Sequence, residues 1–179
     1  MTGVQTCALP IFRGDASYLV TGGLGGLGLK VADYLVSAGA RHLVLAGRSG
    51  ASGQAQSAIE EMRRRGASVA IVRGDVSNPA DAAAMIDACQ RAAPLRGVIH
   101  AAGVLREALA VNQNADFFAS VMAPKVRGGW ELHRLTRGIS LDFFVCFSSM
   151  AALTGSPGQA NYAAANAFLD LLEIGRAHV

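Results

Sequence analysis

Short β-rich runs alternate with helical stretches along this chain, and no other feature restricts its fold as much. "SYLVT" at 17–21, "HLVLAG" at 42–47, "SVAIVRG" at 68–74, "GVIHAAG" at 97–103 and "LDFFVCFSS" at 141–149 read as strands. They are apolar, rich in branched or aromatic residues, and bounded by turn-forming residues. Helical patterns lie between them. "GGLGLKVADYLVSAGA" places Leu27, Val31 and Leu35 one turn apart, predicting one buried face. "QAQSAIEEMRRRG" stops at Gly66, with Arg63, Arg64 and Arg65 suiting the negative end of the helix dipole. "NPADAAAMIDACQRAA" offers Asn78 as N-cap and Pro79 in the first turn. One long helix is expected from about Asn114 to Thr136, and "PGQANYAAANAFLDLL" forms the last. Regular βα alternation calls for right-handed crossovers and a parallel sheet covered on both faces. The expected architecture is α/β and doubly wound, with strand order 3-2-1-4-5, stopping after the helix that follows the fifth strand.

Composition narrows the function classes. Hydrophobic residues make up 51% of the chain and charged residues 16%, enough apolar material for a covered core and too little charge for disorder. The longest apolar runs fall short of the roughly 18 residues that a membrane span needs, so no membrane association is expected. The net charge is only +3 and the one dense basic cluster ends a helix, so no nucleic-acid partner is expected. Cys7, Cys89 and Cys146 have neither metal-ligand spacing nor an even framework. They suggest a reduced, cytoplasmic protein without a metal site.

"TGGLGGLG" follows the first strand and opens a helix. Gly23, Gly25 and Gly28 match G-x-G-x-x-G there. One glycine permits the turn, one lets the backbone approach a pyrophosphate, and one lets helix and strand pack closely. Free N–H groups at the helix start then hold the anion. This makes the sheet Rossmann-type and predicts a dinucleotide site that includes Thr21 and Leu24. About 20 residues on, an acid would hold the ribose hydroxyls of NAD. The chain has Arg48 followed by Ser49 there, which suits a 2′-phosphate, so NADPH is the expected cofactor. Asp75 and Val76 follow the third strand, where Asp75 could bond the adenine or cap its own loop. Ala101, Ala102 and Gly103 leave room for a ribose beyond the fourth strand. His100 reads as a satisfied strand-end histidine, and Trp130 and His133 as packing residues.

Tyr162 is followed one helical turn later by Asn166, and Ser149 stands thirteen positions before Tyr162. The chain has two lysines, Lys30 and Lys125. Lys30 lies just past the glycine loop on an outer face. Lys125 sits in the helix after the fourth strand, next to the helix that carries Tyr162, so its ammonium can reach the phenol. "LVTGGLGGLG", "LAGRSG", "HAAGVL", "APKVRGGWELH" and "FSSMAALTGSPGQANYAAANAFLD" resemble the ketoreductase domains of type I polyketide synthases, within the short-chain dehydrogenase/reductase superfamily. The resemblance spans residues 17–173. Ordinary members place a Lys four residues after the Tyr; here Lys125 and Asn166 hold exchanged positions.

The resemblance implies reduction of a β-ketoacyl thioester on an acyl carrier protein, using NADPH, within a longer synthase chain. Tyr162 would be the acid, helped by a nearby ammonium that favours the phenolate. Ser149 would orient the carbonyl, and Asn166 would help place Lys125 and a relay water. Leu105-Arg106-Glu107 departs from the Leu-Asp-Asp of B-type members, whereas Pro157 and Asn161 resemble their B-type companions. The alternatives are a nucleotide-binding module without catalysis and a free-standing reductase of small carbonyls; Asn166 speaks against the latter. The first 11 residues and the last six, 174–179, break the neighbouring periodicity and resemble translated sequencing-adapter DNA. The expectation is a partial ketoreductase domain at 12–173 between two adapter-derived tails. A signal peptide is the other reading of the first tail, but it lacks a basic start.

Overall fold

The computed structural model describes residues 12–176. Five strands and seven α-helices follow one another as β1 (Ser17–Thr21), α1 (Gly26–Ser37), β2 (His42–Gly47), α2 (Gly53–Arg64), β3 (Ser68–Arg73), α3 (Pro79–Ala92), β4 (Leu95–His100), α4 (Ala115–Met122), α5 (Gly128–Thr136), β5 (Phe143–Cys146), α6 (Ala151–Thr154) and α7 (Ala160–Arg176). The strands form one sheet in the order β3-β2-β1-β4-β5, and every pairing is parallel. Residues 1–11 of the first proposed tail and 177–179 of the second lie outside the described residues. Ile174, Gly175 and Arg176 of the second continue α7.

Alternation along the strands explains why both faces are covered. Tyr18 and Val20 join Leu43, Leu45, Val69 and Ile99 on one face, beneath Leu35 and Val36 of α1 and Ile59 and Met62 of α2. Leu19, Val44, Ala46 and Val98 face the other way, beneath Met85, Ile86 and Cys89 of α3 and Leu132 of α5. Each buried Val, Leu, Ile or Met among them contributes about 1.5–3 kcal/mol on leaving water. Residue pairing levels the strand ends. Thr21 lies opposite Ala46 and His100, and His100 opposite Cys146, so these ends share one edge. In open sheets of this kind ligands bind outside that carboxyl edge.

The caps at Asn78 and Gly66 follow the sequence. Asn78 Oδ1 accepts from the N–H groups of Ala80 and Asp81 as expected, while Ser52, which was not singled out from the sequence, caps α2 by accepting from Ala55 at its Oγ. Gly66 ends α2 at a φ of +86°. Two expectations change. The buried face of α1 is Gly28, Ala32, Leu35 and Val36, while Leu27 is 54% exposed. The loop brings Gly28 against the backbone, which turns Leu27 outward into a cleft. The long helix also breaks its period. Asn114 Oδ1 caps α4 by accepting from Phe117, but a π-helix, Ala123–Arg127, separates α4 from α5. Pro124 in that segment has no N–H to continue the regular ladder. Where α5 meets α7, a Cβ on Gly129 would lie 3.0 Å from Leu169 Cδ2, so the two helices touch closely there.

Candidate active site

The glycine loop turns at Gly22, whose φ is +69°. A Cβ there would lie 2.7 Å from the Ala101 carbonyl oxygen, so only glycine fits. Gly28 is equally constrained: its Cβ would meet the Gly22 carbonyl oxygen and lie 2.7 Å from Gly23 Cα. The Gly25 N–H donates to Gly22 O at 3.0 Å, and Gly25 O accepts from Leu29 at 2.9 Å. No side chain caps α1 and no acid sits in its first turn, so its leading N–H groups remain available to an anion.

A cleft of about 490 Å³ opens over this helix start, lined by the loop with Leu24, Gly25 and Gly28, by Arg48 and Ser49, and by Ala101 and Gly103. A second pocket of about 100 Å³ shares Arg48 and Gly103 and adds Thr21, Asp75, Val76 and Ala102. These two spaces gather the predicted cofactor residues except Gly23, which is buried behind the loop against Leu45. Gly22 lines both and was missed; the doubled glycine after Thr21 was its signal. Asp75 acts as a loop cap: its Oδ1 accepts from the Ser77 N–H at 2.9 Å and hydroxyl at 2.7 Å. Burial alone would raise this carboxyl, but both Ser77 bonds and the Arg48 charge hold it below its ordinary value. A cradle of glycines, an uncapped helix start and a nearby guanidinium fit a dinucleotide with an added phosphate.

A third cleft of about 260 Å³ adjoins the first through Leu27, Ala101 and Gly103. Lys125 and Tyr162 both line it, with Val104, Leu105, Phe147 and Ser148. The π-helix delivers Lys125, which is only 4% exposed, and its Nζ donates to Phe147 O at 2.8 Å. That ammonium sits 5.4 Å from the centre of the Tyr162 ring. Burial lowers the Lys125 pKa, opposed by the negative forms of Cys146 and Asp170. Tyr162 lies in the first turn of α7, and its N–H donates to Asn161 Oδ1 at 2.7 Å. Asn166 is fully buried one turn on. Its Nδ2 donates to Tyr162 O at 2.7 Å, and its Oδ1 is a buried acceptor without a protein partner.

Ser149 behaves differently from its neighbour. Its Oγ accepts from Ala151 N–H at 3.2 Å, at the start of α6, whereas Ser148 lines the cleft and donates to Asn166 O at 3.3 Å. Ser148 and the Phe147 carbonyl were not singled out from the sequence; side-chain pattern carries no signal for a backbone acceptor. Trp130 is 51% exposed and rests on His133, with ring centres 5.3 Å apart, so it packs on the surface. Glu107 accepts from Gln159 Nε2 at 2.5 Å, and Arg106 covers the Phe117 ring at 3.7 Å. Asn161 is fully buried and donates to Arg106 O at 3.0 Å, tying this loop to the start of α7. Among the described residues no cluster of three acidic, His or Cys side chains is placed to hold a metal, and no helix is long and apolar enough to cross a membrane.

The model of the KR domain family matches residues 16–178. The chain belongs to this family. It is 43% identical over 175 residues to the phthioceranic/hydroxyphthioceranic acid synthase of Mycobacterium tuberculosis, covering 94% of this chain and 8% of that protein. It is 44% identical over 168 residues to a mycocerosic acid synthase-like polyketide synthase of Mycolicibacterium smegmatis, covering 90% and 8%. The chain thus spans 8% of the length of these curated relatives. Among solved structures, an A-type ketoreductase of a modular polyketide synthase aligns with TM-score 0.87 and 40% identity, covering 94% of this chain and 36% of that one. A ketoreductase domain from the bacillaene assembly line aligns with TM-score 0.88 and 34% identity, covering 98% and 43%. KR domains are nicotinamide-dependent oxidoreductases that act on ketoacyl groups in polyketide biosynthesis, and their sheet has this strand order.

Proposed function

We propose that residues 12–173 form part of a ketoreductase domain that reduces a β-ketoacyl thioester, carried on an acyl carrier protein, to the β-hydroxyacyl thioester with NADPH. One observation carries this reading: Lys125 and Tyr162, from separate helices, share a cleft that adjoins the glycine-loop cleft. Bound NADPH would supply hydride to the carbonyl carbon. The start of α1 holds the pyrophosphate, and Arg48 with Ser49 holds the 2′-phosphate. Tyr162 donates its phenolic proton to the carbonyl oxygen. Lys125, fixed by the Phe147 carbonyl, stabilises the phenolate left behind. Ser149 lies just outside the cleft lining, one residue from Ser148; its Oγ accepts from Ala151, and its own hydrogen would donate to the same substrate oxygen once substrate is bound. Asn166 Oδ1, a buried acceptor without a protein partner, would hold a water that returns the proton to Tyr162. The partners are the carrier protein and the remainder of a synthase chain.

The test mixes the chain with NADPH and a β-ketoacyl thioester, follows loss of cofactor absorbance, and identifies the hydroxy product by mass. Tyr162→Phe should abolish turnover while changing the Kd for NADPH by less than about threefold. Cofactor binding without turnover in the wild type would instead favour a nucleotide-binding module. Equal loss of binding and turnover in Tyr162→Phe would make Tyr162 structural.

A further inference from the structure

His100 ends β4 and is 1% exposed. Its Nδ1 shares a hydrogen bond of 2.7 Å with the Thr21 hydroxyl, and its Nε2 is buried without a partner of normal geometry. The Pro124 carbonyl of the π-helix is the backbone group that acts on the ring, short of a well-formed hydrogen bond. What lies against the ring is the start of α5, directly after the π-helix that delivers Lys125. A Cβ on Gly128 would come 3.5 Å from His100 Cε1 and 2.7 Å from Val76 Cγ1, and one on Gly129 would come 3.9 Å from His100 Cδ2. The start of α5 thus sits directly on the imidazole, and two successive glycines let it approach. The His100 backbone is joined to the same lysine. His100 O accepts from Phe147 N–H at 3.0 Å, and Phe147 O accepts from Lys125 Nζ at 2.8 Å.

We propose that His100 is a positioning residue for Lys125: its ring, pinned by the Thr21 hydroxyl, is the spacer that sets where the π-helix rests and hence where the ammonium stands over Tyr162. The ring must be neutral for this, since a second buried cation would repel Lys125. Burial supplies that condition, pushing the His100 pKa down to about 4, with the Lys125 charge acting in the same direction and the Pro124 carbonyl against it. The groups acting on Lys125 from the other packed elements are Cys146 on β5 and Asp170 on α7. The consequence for turnover rests on the ketoreductase reading; the placement of Lys125 does not.

The chain has only two lysines, so lysine-labelled NMR of the full chain reads Lys125 directly against exposed Lys30. His100→Leu keeps the volume and removes both nitrogens, while His100→Gln keeps an acceptor for Thr21. The Lys125 signal of the wild type should titrate below the ordinary lysine value. In His100→Leu it should shift away from the wild-type value as the ammonium is displaced, and kcat should fall about tenfold while the Kd for NADPH changes less than about threefold. His100→Gln should restore most of both. A folded His100→Leu with an unmoved Lys125 titration and unchanged kcat would make His100 a mere packing residue and overturn the proposal. So would a His100→Gln that fails as fully as Leu. A wild type without turnover would overturn the ketoreductase reading alone, because the Lys125 signal would still decide the positioning.

Discussion

Lys125→Met separates the electrostatic role of the buried ammonium from its packing. Methionine keeps most of the stem and removes the charge. The loss on the stability side is the bond to the Phe147 carbonyl, about 1.5–3 kcal/mol for a charged donor. An opposing gain comes from burial. The folded-state pKa of Lys125 is depressed, so between that value and the ordinary one, near 10.4, the unfolded chain binds more protons. Wild-type stability therefore rises with pH through that window, and below it the fold carries the charge at a cost that methionine removes. The two effects offset, and Tm should move by no more than about 5 °C at neutral pH. Turnover should nevertheless fall by about a hundredfold, since nothing then stabilises the phenolate as Tyr162 gives up its proton. The assays are urea unfolding near pH 7 and near pH 9.5, NADPH binding by fluorescence, and ketone-dependent NADPH oxidation. Turnover within about threefold of wild type would refute the role of the ammonium. A wild-type stability that falls relative to the variant as pH rises would refute the burial argument.

The other expectations concern the cofactor cleft and the sheet edge. Arg48→Ala should weaken NADPH by about tenfold or more and NADH much less, read by fluorescence titration with each cofactor; equal losses would remove Arg48 from the phosphate site. Gly28→Ala forces a methyl group into the loop backbone, so it should cost about 1–3 kcal/mol in urea unfolding and weaken both cofactors together. For His100, the depressed folded value means that its stability contribution is complete above about 6.5 and lost as pH falls toward 4, about 3 kcal/mol in all. Acid titration of wild type against His100→Leu should show that extra slope in the wild type only.

Features set by side-chain period or by an obligatory glycine were legible in the sequence. The parallel order followed from βα alternation, the dinucleotide loop from Gly25 and Gly28 between strand and helix, and the caps from Asn78 and Gly66. The pairing of Lys125 with Tyr162 was legible because one missing lysine, at Asn166, had to be replaced from elsewhere. Local backbone geometry was not legible. Leu27 reads as core by spacing, yet the contact of Gly28 with the loop rotates it into the cleft. The π-helix at Ala123–Arg127 is invisible to a period count, because Pro124 marks an interruption without saying how the chain resumes. Ser148 and Ser149 are chemically identical in sequence, and only the turn into α6 decides that one caps and the other lines the cleft.

The seam between Gly129 and Leu169 has a consequence for how such a site changes over time. When acid and cation ride on one helix, the pitch of that helix dictates their separation. Here they ride on two, so the gap between them is as adjustable as the bulk wedged into the seam. A single methyl added at position 129, one turn beyond the lysine, would act as a shim on the proton-transfer geometry without touching any reacting group.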